Sequence, residues 1–333
     1  MKKLSACFLI AFLTLIGSAV AQRPIKMEPA VKSMKPALNP PTHFEFKGKN
    51  PKNSEWGGEI SSEEMQGIAN SKTNWFVSNK GTIYKTQRND IKKVVKKVKL
   101  SEIQGRLKGG HYNHFGDLDF YDGFLYVATT GEKPAPPIVI VFNENLEFEK
   151  YARFSDKQEG AGWVAIDPVT GYLYSSGPYR ELFVYDRNFP ENSHELTFIR
   201  KIFLNFKYGP TQEKEYAKIY NQGGAFSPHG IFYYVLDHKA DENSLYSGVH
   251  AFLIQDGHAN EITIKGKNNK NEDVNFMNEK YDPDIGKWRN WEFEGITVWD
   301  RGIEGQIHVL QLHNEPGSED DVHLFHYKVN NDY

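Results

Sequence analysis

Apolar residues along this chain come in short runs of about six to eight, rich in Val, Ile, Leu, Phe and Tyr and broken by turn-forming residues. Val139-Ile140-Val141-Phe142-Asn143, Leu182-Phe183-Val184-Tyr185-Asp186 and Val249-His250-Ala251-Phe252-Leu253 are typical. Between such runs stand Asp122-Gly123, Asn79-Lys80-Gly81 and Pro228-His229-Gly230, whose composition suits tight turns. No stretch holds apolar residues at a 3.6-residue period through four turns, so the pattern predicts an all-β fold.

The runs also repeat. Five segments share an opening with small or glycine residues, a short apolar strand, a glycine-containing turn and a second strand centred on Leu-Tyr or a similar pair. They begin at Gln66-Gly67-Ile68-Ala69, Phe115-Gly116-Asp117-Leu118, Gly162-Trp163-Val164-Ala165, Gln222-Gly223-Gly224-Ala225 and Glu294-Gly295-Ile296-Thr297. Four strands per repeat at a spacing of roughly 45 to 70 residues predict the blades of a β-propeller. A single such sheet leaves apolar faces uncovered, so neighbours must stack around an axis. Five blades are counted, and the long intervals before Gln222 and Glu294 have room for a sixth. The last repeat has space for only three strands; Thr42-His43-Phe44-Glu45-Phe46 is expected to supply the fourth and close the ring. The polar, strand-poor stretch from Lys265 to Arg289 reads as an inserted loop.

The chain starts differently. Lys2 and Lys3 precede an apolar run from Leu4 to Ile16 and the small triplet Ala19-Val20-Ala21, the order of a cleavable export signal over residues 1–21. Residues 22–41 are rich in proline and lysine and read as a flexible leader, which leaves 42–333 as one propeller domain. Secretion or export to a periplasm is expected. No later run reaches the roughly 18 apolar residues of a membrane helix. The single cysteine, Cys7, falls within the signal, so the rest of the chain must rely on burial rather than disulfides.

Charge excludes one class of partner. With 40 basic and 43 acidic residues the net charge is −3, which gives no electrostatic case for nucleic acid. The one basic run, Lys92 to Lys99, alternates with valines as a solvated outer strand does.

Candidate chemistry gathers where the innermost strands begin, because a propeller brings those openings to one axis. Gln66, His114, Asp117, Glu159, Gln222 and Glu294 stand at or beside them. Converging acids and amides call for a cation, water or a polar ligand. Asp117, Glu159, Gln222 and Glu294 offer oxygen ligands that suit calcium better than zinc. His111 and His114 are candidates for handling a proton, for a metal, or simply for hydrogen bonds across a blade junction. Trp288 and Trp291 lie on the approach to Glu294 and are placed to wall a ligand pocket. Asp122 and Asp167 sit in turns, where carboxylates cap backbone amides. Most of the 22 Phe, 18 Tyr and 6 Trp occupy strands and read as packing. Motifs of serine hydrolases, phosphate-binding loops and zinc peptidases are absent.

The runs His114–Gly123, Glu159–Pro168, Gln222–Ser227 and Glu294–Trp299 together resemble a family of secreted propeller proteins of largely unassigned function, over roughly residues 66–327. More distantly, Glu294-Gly295-Ile296 is similar to the opening found in gluconolactonase, paraoxonase and strictosidine-synthase-like propellers. That resemblance implies a channel calcium on the acidic residue, with Gln222 and Gln66 at places where those families carry Asn and Asp.

Two functions follow as expectations. One is a monomeric binding or scaffold module that takes a small molecule, glycan or protein at the channel mouth. The other is a calcium-dependent hydrolase of esters, lactones or phosphoesters, with His114 or His111 moving the proton.

Overall fold

The computed structural model describes residues 39–50, 59–61, 64–177, 180–189, 194–210, 219–238, 246–268, 271–278, 291–313 and 321–331. The expected signal and nearly all of the leader lie outside these residues.

The protein is all-β and propeller-like, built from four-stranded antiparallel units. In chain order, β1 (Phe44–Asn50) comes before the first unit, β2 (Met65–Asn70), β3 (Asn74–Asn79), β4 (Thr82–Gln87) and β5 (Asp90–Lys99). After the short helix α1 (Leu100–Ile103) come β6 (Tyr112–Tyr121), β7 (Phe124–Gly131), β8 (Ile138–Asn143) and β9 (Phe148–Arg153). The third unit is β10 (Val164–Ile166), β11 (Tyr172–Ser176), β12 (Glu181–Asp186) and β13 (Phe198–Asn205); the fourth is β14 (Ile219–Phe226), β15 (Ile231–His238), β16 (Gly248–Gln255) and β17 (His258–Glu261). These two merge into one eight-stranded sheet through parallel pairing of β13 with β17. The strand-poor stretch read as a loop opens with a small hairpin, β18 (Gly266–Lys267) and β19 (Asp273–Val274). Finally β20 (Trp291–Val298), β21 (Ile307–His313) and β22 (Asp321–Val329) form a sheet with β1, which pairs antiparallel to β22 from Phe44 opposite Val329 to Asn50 opposite Leu324.

Local chemistry explains the strand ends. Asp122 and Gly123 take φ of 53° and 84°, as a two-residue hairpin between β6 and β7 requires to match the strands' twist. Asp167 accepts from the Val169 amide at 2.9 Å and the Thr170 hydroxyl at 2.7 Å, so its carboxylate holds the β10–β11 turn.

Packing follows from the two-sided apolar character of the middle strands. Five buried clusters each draw on two neighbouring units. One of them joins Met65, Ile68 and Trp75 of the first unit to Trp299, Leu310 and Leu324 of the last. Trp163, wholly buried, packs against Phe232 and Tyr234 across such a junction. Each large side chain removed from water in this way contributes about 1.5–3 kcal/mol. The innermost strands meet in sequence: β2 lies against β6, β6 against β10, β10 against β14, β14 against β20, and β20 against β2.

Candidate functional site

Register aligns the five innermost strands. Ile68 faces Val77, Leu118 faces Val127, Val164 faces Ser175, Gly224 faces Tyr234 and Ile296 faces Val309. Four of the five strands carry a bulge just before this level. Stepping back one residue gives Gly67, Asp117, Trp163, Gly223 and Gly295; two residues back are Gln66, Gly116, Gly162, Gln222 and Glu294.

Asp117 thus stands where three of the other strands carry glycine, and its side chain fills the space they leave. Oδ1 accepts from the amides of Ile68 and Leu118, both at 2.9 Å, and Oδ2 accepts from Ile296 at 3.2 Å. Its own amide donates to Gly162 O at 2.9 Å. A Cβ on Gly295 would sit 2.5 Å from Oδ1, one on Gly67 2.6 Å from the same atom, and one on Gly223 2.8 Å from Oδ2. Wholly buried Asp117 therefore bonds through its carboxyl to three units and through its amide to the third in chain order, and its Oδ2 lies against Gly223 of the fourth. Burial pushes its pKa well above the usual carboxylate range, against the pull of the three amides and with a further push from Asp119.

Glu294 lies one step toward the start of β20 and is also buried. Gln222 donates from Nε2 to Glu294 Oε1 at 3.0 Å. Burial, then the nearby Glu292 and Asp237 carboxylates, hold the Glu294 carboxyl well above its usual range; Asp117 adds to the effect. Glu292 also exchanges a hydrogen bond with Glu294. A carboxyl held protonated among carboxylates can donate a hydrogen bond as well as accept one. On the neighbouring strands His114 Nε2 and Gln66 Oε1 meet at 2.8 Å. Burial and the Lys80 charge lower the His114 pKa, which keeps the ring neutral, and Glu64 opposes them. Beyond Asp117, Asp119 Oδ2 accepts from the Ile166 amide at 2.7 Å; its carboxyl is tightly surrounded though part of the residue reaches solvent, and burial lifts it to about 6.

Of the residues singled out from sequence, the structure pairs Gln66 with His114 and Gln222 with Glu294, and ties Asp117 to backbone amides. Glu159 is exposed in the loop before β10. Gly162-Trp163 occupies the level of Glu294-Gly295, as the repeat starts read from sequence align them, and Glu159 lies three residues before that level. Gln158 is the buried residue of that loop: its Nε2 donates to Ser175 Oγ and Ser176 O, both at 2.9 Å, and Tyr185 donates to its Oε1 at 2.7 Å. His111 is exposed, with Nδ1 3.6 Å from Glu132 Oε1, and belongs to the surface. Trp291 opens β20, while Trp288 lies outside the described residues. Sequence reasoning missed Glu292 and Asp237. Glu292 was findable, since it alternates with Glu294 along one strand.

The proposed calcium set does not fit as drawn. Both Asp117 oxygens are taken by amides, three glycines wall the carboxylate, and Glu159 stands apart. Among the described residues no three His, Cys, Asp or Glu side chains group as a metal-holding cluster. A groove of about 850 Å³ lies instead at the rim, between β1 and the β18–β19 hairpin, with His43, Glu45, Lys267 and Asn271 among its lining.

Fold and site together define an all-β protein of propeller-like sheets packed around a buried axial carboxyl. No family model matches the sequence, and no curated protein does. Solved structures with similar folds include a protein of unknown function from Bacteroides caccae, 11% identical with a TM-score of 0.41, covering 78% of this chain and 76% of that one. A tail fiber of a Staphylococcus aureus phage is 13% identical with a TM-score of 0.48, covering 81% of this chain and 50% of its own. A gluconolactonase from Xanthomonas campestris is 11% identical with a TM-score of 0.38, covering 76% and 68%. Likenesses at this level carry nothing about activity. Among the described residues no helix is long and apolar enough to cross a membrane.

Proposed function

We propose that the protein is an exported five-bladed propeller, closed by β1 as the outer strand of the last blade, that works as a non-catalytic binding or scaffold module. Its recognition surface is the mouth of the axis around Gln66, His114, Gln222, Glu292 and Glu294. The observation that carries this reading is the commitment of Asp117. The most central carboxyl, at the place where a catalytic acid or metal ligand would act, has both oxygens engaged by backbone amides of three strands. The groups around it suit a polar ligand: a protonated Glu294 donates, Glu292 accepts, and the Gln66 and Gln222 amides do both.

A calcium-dependent hydrolase is the second reading. It is favoured by the push of the nearby Glu292 and Asp237 carboxylates on the buried Glu294 carboxyl. A calcium ion, if bound, would supply polarisation of an ester, lactone or phosphoester oxygen, and His114 would be the group to take a proton.

One experiment separates the two. Wild-type protein and the Glu294→Gln and His114→Ala variants are screened by thermal shift against calcium, small polar molecules and oligosaccharides, and in parallel for turnover of esters, lactones and phosphoesters. The binding reading expects a ligand that raises the wild-type melting temperature, loses its effect in Glu294→Gln and is released unchanged. Calcium-dependent turnover abolished by either substitution would overturn that reading in favour of the enzyme.

A further inference from the structure

The outer edges of the four-stranded units are not treated alike. β13 and β17 cover one another through the pairs from Phe203–His258 to Asn205–Asn260. The end of β9 is met by a parallel bridge from Arg153 to Glu195. The start of β1 is met by Lys265, whose carbonyl accepts from Phe44 at 2.9 Å and whose amide donates to Thr42 at 2.8 Å. On β5, residues 93–99 have no described backbone partner other than β4. Apart from the Lys99 amide, which donates to Glu102 Oε2 at 3.3 Å, outward donors and acceptors are left there, which is a template for another strand.

The side chains on this edge go beyond guarding it. A bulge or a single lysine suffices to discourage chance pairing. β5 has a bulge where Lys85 faces Lys96 and Thr86 faces Val94, so that Val95 is left out of register and 54% exposed. It also carries Lys93, Lys96, Lys97 and Lys99, all exposed and none in an ion pair with a described residue. Buried Lys85 opposite Lys96 adds a like charge within the sheet rather than relieving it. In a chain of net charge −3 this is a concentrated cationic strip on an open edge.

We propose that β5 is a docking edge for an extended acidic polypeptide, which adds as a further strand beside residues 96–99 and sets its carboxylates against these lysines. A second copy of the same edge is excluded as the occupant, because it would bring lysine against lysine. A polyanionic glycan would answer the charge but not the open amides and carbonyls. Strand addition uses both: main-chain hydrogen bonds give affinity, and alternate side chains give selectivity.

The test uses the full chain and a short labelled peptide of alternating valine and glutamate, measured by fluorescence anisotropy. Saturable binding is expected, falling by about tenfold when Lys93, Lys96 and Lys97 are replaced together by glutamate. A peptide N-methylated at alternate residues, which keeps its charges but loses strand donors, is expected to bind about tenfold more weakly. If the glutamate variant fails to fold, Lys96→Gln with Lys97→Gln makes the same test with less charge change. Absence of wild-type binding, or equal binding of the N-methylated peptide, would overturn strand addition. Displacement by dextran sulfate with no effect of N-methylation would mark the strip as a plain polyanion surface, which also overturns it.

Discussion

Replacing Asp117 by alanine takes the acceptor from three amides at once. The donors of Ile68, Leu118 and Ile296 lie where Asp117 has no exposed surface, so bulk water does not simply replace the lost oxygens. A buried donor left without a partner costs about 1–3 kcal/mol, which sums to roughly 3–9 kcal/mol for three. Two effects offset part of this: the cost of keeping a carboxyl in a dry place disappears, and a water molecule has room to enter the vacated volume. The net loss should be about 3–5 kcal/mol, a large share of the about 5–15 kcal/mol that holds a typical domain. At about 2–4 °C per kcal/mol, the melting temperature should fall by roughly 6–20 °C. Asp117→Asn keeps an oxygen for Ile68 and Leu118 but turns an amide nitrogen toward Ile296, so it should cost only about 1–3 kcal/mol. Thermal and urea melts of the three proteins should rank wild type, Asn, Ala. An alanine variant that melts with the wild type would refute the idea that this carboxyl ties the units together.

Three further outcomes follow from buried titratable groups. Glu294 binds its proton more tightly folded than unfolded, so its contribution to stability is complete below the ordinary carboxylate range and is lost as pH rises through its raised pKa. Glu294→Gln, which keeps an oxygen for Gln222, should therefore melt with the wild type at pH 4 and higher than it at pH 8 in a circular-dichroism series. His308 and His326 meet through Nδ1 at 2.7 Å, His308 Nε2 donates to Trp299 O at 2.8 Å, and burial holds His326 down to about 4 and His308 well below its usual value. Their stabilisation is present above pH about 6.5 and lost as pH falls toward 4, so His326→Gln should flatten the acid limb of the melting profile. Burial pushes the Glu261 carboxyl up, but His250 Nδ1 at 2.6 Å and the amides of Tyr208 and Lys207 outweigh it and hold the pKa low. That contribution is present above the ordinary carboxylate range and fades as pH drops through the folded value; Glu261→Gln should cost about 3–5 kcal/mol at pH 7 by urea denaturation and much less near pH 3.

Local features of the fold were legible in the order of the residues alone. The period of the apolar runs settled strand over helix, and the turn at Asp122-Gly123 carries its positive φ angles in its own two residues. The lysines of β5 announced an outer strand because an edge tolerates charge on both faces. Residues near one another in sequence gave these answers through short-range sterics and burial.

The site depended on distance. Asp117 meets donors 49 and 179 positions away, and no property of the residue itself distinguishes an axial carboxyl walled by glycines from a ligand open to a cation. The place of Glu159 has the same cause. The repeat already put Gly162-Trp163 at the level of Glu294-Gly295, but only packing turned Gln158 inward onto Ser175 and Tyr185 and left Glu159 exposed in the loop before β10. Repetition could say that five openings converge; which side chain fills the shared space, and which are pushed out to the surface, was decided by the van der Waals room left when the sheets packed.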